Sequence, residues 1–243
     1  MESKHLLSIS VLSVSLILSV FIFSNSIKNR NESDNVVSVT GMAERNFESD
    51  LIVWQGQFTV KDMNLTSAYA ELKKQSESTR VFLNEKGIDQ KEMTFSAVEI
   101  TKEFVYISKD GNSSSTFDGY RLTQKVSINS TDVPKIERIS REITELINSG
   151  IEITSLAPQY YYTKLSGLKI EMLAEAARDG SQRAKTIATN GDGKLGKLVN
   201  SSMGVFQIVA QNSAEDYSWG GAFNTSSKKK TATITVKLQY KLK

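Results

Sequence analysis

The side chains that most often carry enzyme chemistry are nearly absent from this sequence. The 243 residues include one histidine, His5, and no cysteine. His5 sits beside a long apolar run. A His-dependent triad, a His-ligated metal and a thiol nucleophile are therefore excluded from the rest of the chain. Carboxylates remain, and Asp50, Glu99, Glu103, Asp118, Glu152 and Asp179 are the candidates. Glu99 and Glu103 fall on one strand face, where paired acids are ordinarily solvated. Asp110-Gly-Asn112 and Asn190-Gly-Asp192-Gly193 carry oxygen donors of the kind calcium takes. Neither has the spacing to a terminal glutamate that a dedicated calcium loop needs, so both read as tight turns. There is no glycine-rich phosphate loop. No catalytic residue, metal site or cofactor is expected, and the chain is expected not to be an enzyme.

Recognition chemistry has stronger candidates. Lys228-Lys-Lys230 is a local positive run in a chain of net charge +3. That footprint is too small for nucleic acid; the run reads as a solvated loop with at most weak attraction to anionic lipid. Tyr160, Tyr161 and Tyr162 fall on one strand, so Tyr160 and Tyr162 share a face opposite Tyr161. At least one of them is expected at the surface or an interface. Trp219 and Phe223 lie in Trp219-Gly-Gly-Ala-Phe223, where large rings are costly to leave in water. Tyr160, Tyr162, Trp219 and Phe223 are thus candidates for contacts with a neighbouring subunit or a groove. A loop packed back on its own domain is the plain alternative.

The elements that must position these residues follow from periodicity. Leu51–Val60 is rich in β-branched and aromatic residues and predicts a strand. Leu65, Tyr69, Leu72, Ser76, Thr79 and Leu83 form a helical stripe, with Asn64 as N-cap and Gly87 as stop. A strand is expected from Met93 to about Ile107, then a flexible loop at Ser113–Thr116, then an alternating strand from Tyr120 to Ser130. Asp132 or Thr131 caps a second helix with Pro134 in its first turn. Its stripe is Ile136, Ile139, Ile143 and Leu146. Glu137/Arg141, Arg138/Glu142 and Arg141/Glu145 are i,i+4 pairs worth about 0.3 kcal/mol each. Gly150 ends the helix and Ile151 opens a strand. From Leu51 to Lys164 the order is βαββαβ, the split βαβ or ferredoxin-like arrangement of an α+β fold.

A third helix is expected over Leu168–Thr189, with a stripe of Leu173, Ala177, Gly180, Ala184 and Ile187. Gly180 costs about 1 kcal/mol of helix stability, which points to close packing against a sheet. Leu195–Gln211 and Thr231–Lys243 are the closing strands. The second has unbroken alternation: Ala232, Ile234, Val236, Leu238, Tyr240 and Leu242 face one way. Residues 212–230 between them are expected to be a long structureless loop. Near the start, Val36–Gly41 predicts a short strand ending in a turn.

Residues 6–23 are apolar and uncharged, just long enough to cross about 30 Å of hydrocarbon as a helix. The length and the flanking Lys4, Lys28 and Arg30 favour an uncleaved transmembrane anchor. The competing expectation is a cleaved signal segment with Ser24-Asn25-Ser26 as its site. Either way the rest is exported. The division is then a cytoplasmic tail at 1–5, the anchor at 6–23, a tether at 24–35 and a domain at 36–243. An exported chain without cysteine must stand on its core.

With that order in place a family resemblance is visible. Val37-Ser-Val-Thr-Gly41 followed by Asp50-Leu-Ile-Val resembles the opening of SIMPL-domain proteins. Phe117-Asp-Gly-Tyr120 is similar to their Gly-Tyr strand start. Glu175-Ala-Ala-Arg-Asp179 through Arg183-Ala-Lys-Thr-Ile-Ala188 resembles their alanine-rich helix, and Lys194-Leu-Gly196 the turn after it. The final strand closes in Tyr-x-Leu as theirs does. Ala43 departs from the pattern, standing where the family's second glycine usually sits. The resemblance implies a bacterial envelope protein, exported or membrane-anchored, often assembling into large rings, with no established catalytic residues. Some members are linked to oxidative stress tolerance.

The leading expectation is a non-enzymatic, self-assembling domain on the periplasmic side of the inner membrane, a homo-oligomer attached through residues 6–23. Secretion to the periplasm after cleavage is the alternative location. A periplasmic module with residues 212–230 as a lid over an unknown small molecule is the second functional expectation. A carboxylate-dependent hydrolase ranks last.

Overall fold

The computed structural model describes residues 13–24, 35–109 and 112–243. The tail, the first third of the apolar run, most of the tether and Asp110-Gly111 lie outside the described residues. Residues 13–24 are helical and exposed. Among the described residues no helix is long and apolar enough to cross a membrane. The rest is α+β, with antiparallel sheets, and divides into two compact units. Strands β1 (Val36–Glu48) and β10 (Lys229–Leu242) contribute residues to both.

The larger unit comprises Glu44–Lys169 and Phe206–Thr233. Its sheet is built from β2 (Leu51–Asp62), β3 (Met93–Phe95), β4 (Glu99–Lys109), β5 (Asn112–Ser130), β6 (Ile153–Ser155) and β7 (Gln159–Tyr161). The order is β3-β5-β2-β6, with β4 also on β5 and β7 also on β2. β2 forms where a strand was expected, and its burial alternates, enclosing Ile52, Trp54 and Phe58. Helices α1 (Leu65–Glu85) and α2 (Val133–Glu142) complete the core against Leu122, Val126 and Ile128 of β5. From Leu51 the elements run β2, α1, β3, β4, β5, α2, β6 and β7, so the expected βαββαβ order is met only with its second and fourth strands each in two pieces.

Local signals hold where the chemistry is local. Asn64 accepts from the backbone N–H of Thr66 and Ser67, Asp132 accepts from that of Lys135, and Gly150 is left-handed. The α2 stripe is as expected, continuing through a 3-10 turn from Ile143 to Ser149. In α1 the buried line is Ala68, Leu72, Gln75, Thr79 and Leu83, while Leu65 and Tyr69 are exposed. Thr79 is tolerated inside because its hydroxyl donates to the Gln75 carbonyl at 2.8 Å. Glu142 and Glu145 of the expected helical pairs lie 2.8 and 3.5 Å from Lys86, across from α1.

The central hairpin is longer than its pattern suggested. The strand expected from Met93 is broken at residues 96–98 into β3 and β4, and Ser113–Thr116 is strand rather than flexible loop. Ladder pairing continues to Lys109↔Asn112. Backbone pairing asks nothing apolar of the serines, so composition concealed it. At Glu103/Phe104 the register shifts by one, leaving Asp118 as a bulge beside Gly119 (φ 108°).

The smaller unit joins the first part of β1, Ile170 onward of α3 (Leu165–Asn190), β8 (Leu195–Met203) and the second half of β10. β10 lies between β1 and β8. Ile234, Val236 and Leu238 are buried, but Leu242 at the sheet's end is exposed. The buried line of α3 is Met172, Ala176, Gly180, Ala184 and Ala188; Ile187 is exposed. Asn190-Gly-Asp192-Gly193 stops this helix, with the Gly193 N–H donating to the Ala188 carbonyl at 2.8 Å. Gly41 ends no turn: β1 passes straight through it. A Cβ there would lie 2.1 Å from the Ala176 carbonyl oxygen and 2.4 Å from the Gly180 nitrogen. A Cβ on Gly180 would lie 2.8 Å from Leu238 Cδ1. Backbone meets backbone, which explains the glycine in mid-helix.

Gly41→Ala is expected to cost about 3 kcal/mol by overpacking. Gly167→Ala, in α3 with open space around the new Cβ, should stabilise by about 0.5–1 kcal/mol. Urea unfolding of both variants checks this; similar effects of the two would refute the close-approach account.

Candidate functional site

β9 (Gln207–Ala210) pairs antiparallel with the start of β10, from Lys230↔Ala210 to Thr233↔Gln207. The connecting segment is not structureless. It returns along β9, with the Ile208 N–H donating to the Ala222 carbonyl and the Asn224 N–H to the Ile208 carbonyl, both at 2.8 Å. Phe223 thereby forms a parallel bridge with Ile208.

Side chains secure the remainder. Gln207 donates from Nε2 to the Ser218 carbonyl (2.8 Å) and accepts at Oε1 from the N–H groups of Ser218 (3.1 Å) and Ala222 (2.7 Å). Glu215 accepts from the Ala210 N–H (3.1 Å) and from Asn224 Nδ2 (2.5 Å). Lys230 is 2 % exposed, and its Nζ donates to the carbonyls of Asn224 and Ser227, both at 2.6 Å. A buried ammonium is costly unless acceptors surround it. Here the acceptors are loop carbonyls, so satisfying the lysine and shaping the loop are one act. Burial lowers the Lys230 pKa to about 8, against the opposing pull of the Glu215 carboxylate.

The expected three-lysine patch is therefore divided. Lys230 occupies an inward position of β10, while Lys228 lies 3.6 Å from Glu137 and Lys229 3.7 Å from Glu48.

The loop presents its rings to solvent. Trp219 is fully exposed, and Tyr217 and Phe223 are more than half exposed. Trp219 does not pack back on its own domain, nor is it buried as a closed lid would be. The tyrosines differ. Tyr160 supports the loop from below: its N–H donates to the Thr225 carbonyl at 2.7 Å and its hydroxyl to Glu137 at 3.1 Å. Burial, with the Glu137 charge, raises its pKa. Tyr162 falls just past the end of β7 rather than on it, and packs on Phe47 with ring centroids 4.9 Å apart. Trp219 and Phe223 thus share the exposed loop, whereas Tyr160 and Tyr162 are partly buried. Tyr217, Gln207 and Glu215 went unforeseen, and Lys230, expected in a solvated run, is buried. Carrying the β10 alternation two residues back from Ala232 would have placed Lys230 inside.

Four of the candidate acids hold the fold together. Asp50 accepts from the Thr163 N–H and hydroxyl, both at 2.7 Å. Glu103 bridges Arg121 and Lys61, and the Arg121 bond, then the Lys61 bond, hold its carboxyl down to about 2. Asp118 bonds Lys61. Asp179 accepts from the Met42 N–H (2.9 Å) and Arg183 Nε (2.8 Å), which lowers its pKa. Glu99 and Glu152 are exposed. Among the described residues no three acids or histidines gather as a metal site would require. A cleft lined by Val53, Gln55, Leu156, Ala157 and Gln159 holds about 190 Å³, and an open groove along Ser38–Thr40, Gln182, Arg183 and Ile187 about 440 Å³; only the second reaches the ~300–1,000 Å³ of ordinary small-molecule sites.

Lys230→Met should cost about 1–3 kcal/mol by stranding two loop carbonyls. The lysine's pKa is lower folded (about 8) than unfolded (near 10.4), so the unfolded chain binds more protons between those values. Its contribution to stability rises with pH across that window. The stability gap between wild type and the methionine variant should widen from pH 7.5 to pH 10 in urea unfolding; a narrowing gap would contradict the assignment.

No curated protein matches the chain. A family described as SIMPL, protein of unknown function (DUF541), matches residues 37–240. That span includes both units from the second residue of β1 to near the end of β10, so the chain belongs to the SIMPL family.

Proposed function

We propose that this chain is a non-enzymatic envelope protein whose SIMPL domain self-assembles, held at the membrane by residues 6–23 with the domain on the periplasmic side. In this reading it supports envelope integrity under stress, oxidative stress included. The observation that carries the proposal is the fully exposed Trp219 on a loop fastened by Gln207, Glu215 and Lys230. The bonds fasten the main chain on either side of Trp219, so the loop backbone has less freedom to lose on contact. Exposed aromatics of this kind are enriched at the centres of protein interfaces. The engagement of Asp50, Glu103, Asp118 and Asp179 in structural bonds also favours a role without catalysis.

The full chain in mild detergent should show a discrete mass of several subunits by light scattering, stable over a range of protein concentrations. Trp219→Ala should shift that mass toward smaller species at the low end of the range. It should change urea stability by less than about 0.5 kcal/mol, because the ring is fully exposed. A monomeric wild type at every concentration would overturn the proposal. An unchanged assembly in Trp219→Ala would remove the loop from the contact.

A further inference from the structure

Past Tyr120, where pairing with β2 ends, β5 is hydrogen-bonded to β4 alone. Among the described residues this end of the hairpin is therefore a ribbon of two paired strands. Its β4 strand carries Phe104, Val105, Tyr106 and Ile107, which are 45 %, 45 %, 78 % and 53 % exposed. Both faces of β4 thus show large apolar side chains to water. Among the described residues nothing bonds to its outer edge. A two-stranded ribbon is marginal on its own in water, and an open apolar edge is a template for another strand. The root, by contrast, is firm: Lys61 and Arg121 tie Glu103 and Asp118 across the bulge, and Phe117 stacks edge-on with Phe104 and Tyr120.

We infer that β4 pairs antiparallel with β4 of a second copy of this chain, about a two-fold axis at Phe104. This rests on the self-assembly reading and names one of its contacts. The occupant is argued from charge and length. Phe104 is the midpoint of Glu99–Lys109, so this register pairs the whole strand. It sets position 99, a glutamate, opposite position 109, a lysine, at both ends, and Lys102 opposite Tyr106. Centring on Glu103 or on Lys102 opposes like charges, which is destabilising. Centring on Val105 forms no ion pair, and centring on Tyr106 shortens the match. The lysines that would repel an arbitrary strand are accommodated in one register. The contact is isologous, so it closes on itself as a pair. Any larger assembly needs a second surface.

The absence of cysteine allows a direct test in the full chain. Phe104→Cys should form a disulfide dimer under mild oxidation at low protein concentration. Lys102→Cys and Tyr106→Cys should cross-link when mixed but not singly. In this register each residue lies four positions from its own copy, about 13 Å away, beyond the reach of a disulfide. Light scattering of the same samples separates the two proposals. A monomer throughout would sink self-assembly and the register together. A multi-subunit mass with no Phe104→Cys dimer, or with single variants cross-linking as readily as the mixture, would overturn the β4 contact and leave self-assembly standing. The Phe104→Cys dimer together with the mixed cross-link alone is the expected result.

Discussion

An indole N–H inside an apolar core needs an acceptor, and the larger unit is arranged to supply one. Trp54 is fully buried at the centre of β2, the strand that pairs with β5, β6 and β7. Its Nε1 donates to Ser155 Oγ at 2.9 Å, and that hydroxyl donates onward to the Ser140 carbonyl at 2.6 Å. Left unpaired, the N–H would cost about 1–3 kcal/mol. The relay instead ties the central strand to β6 and to α2, fixing the helix over the sheet. Gly56 makes room for the ring, since a Cβ there would lie 2.9 Å from Trp54 Cη2. Directional bonds thus complete a core whose bulk is non-directional burial.

What the sequence disclosed was what neighbours along the chain decide. The caps at Asn64 and Asp132, the stop at Gly150 and the alternation of β10 each depend on residues a few positions apart. What it concealed depends on distant partners. Gly41 resembled a turn because its reason is a helix well over a hundred residues away. The α1 stripe was right at Leu72, Thr79 and Leu83 but took Tyr69 and Ser76 where Ala68 and Gln75 are buried, because a small residue and a polar one carry little weight in an apolar periodicity. The 212–230 segment looked structureless because its order comes from Gln207, Glu215 and Lys230 bonding to backbone, and such bonds leave no composition signal. Trp219 was legible as a candidate, but the rigidity that makes its exposure meaningful was not.

The polar groups divide by use. Charges in the larger unit are mostly fasteners: Lys61, Arg121, Glu103 and Asp118 stiffen the root of the ribbon, and Lys86, just past α1, pairs with Glu142 at the end of α2. Large apolar groups are bare on the Trp219 loop and on the β4 ribbon. Both are exposed surfaces on well-braced supports. That division, braced backbone with bare rings, suits surface-to-surface contact better than bond-making chemistry.

The meeting of Gly41 with Gly180 has a consequence for how this chain tolerates change. Most crowding in a core can be relieved by a second substitution that trims the facing side chain. Here neither partner has a side chain to trim, and the nearest obstacles to a Cβ on Gly41 are main-chain atoms of α3. A lesion at Gly41 therefore has no single-residue suppressor across the contact. Only displacement of the whole helix could accommodate it, so this position should be among the least forgiving in the molecule.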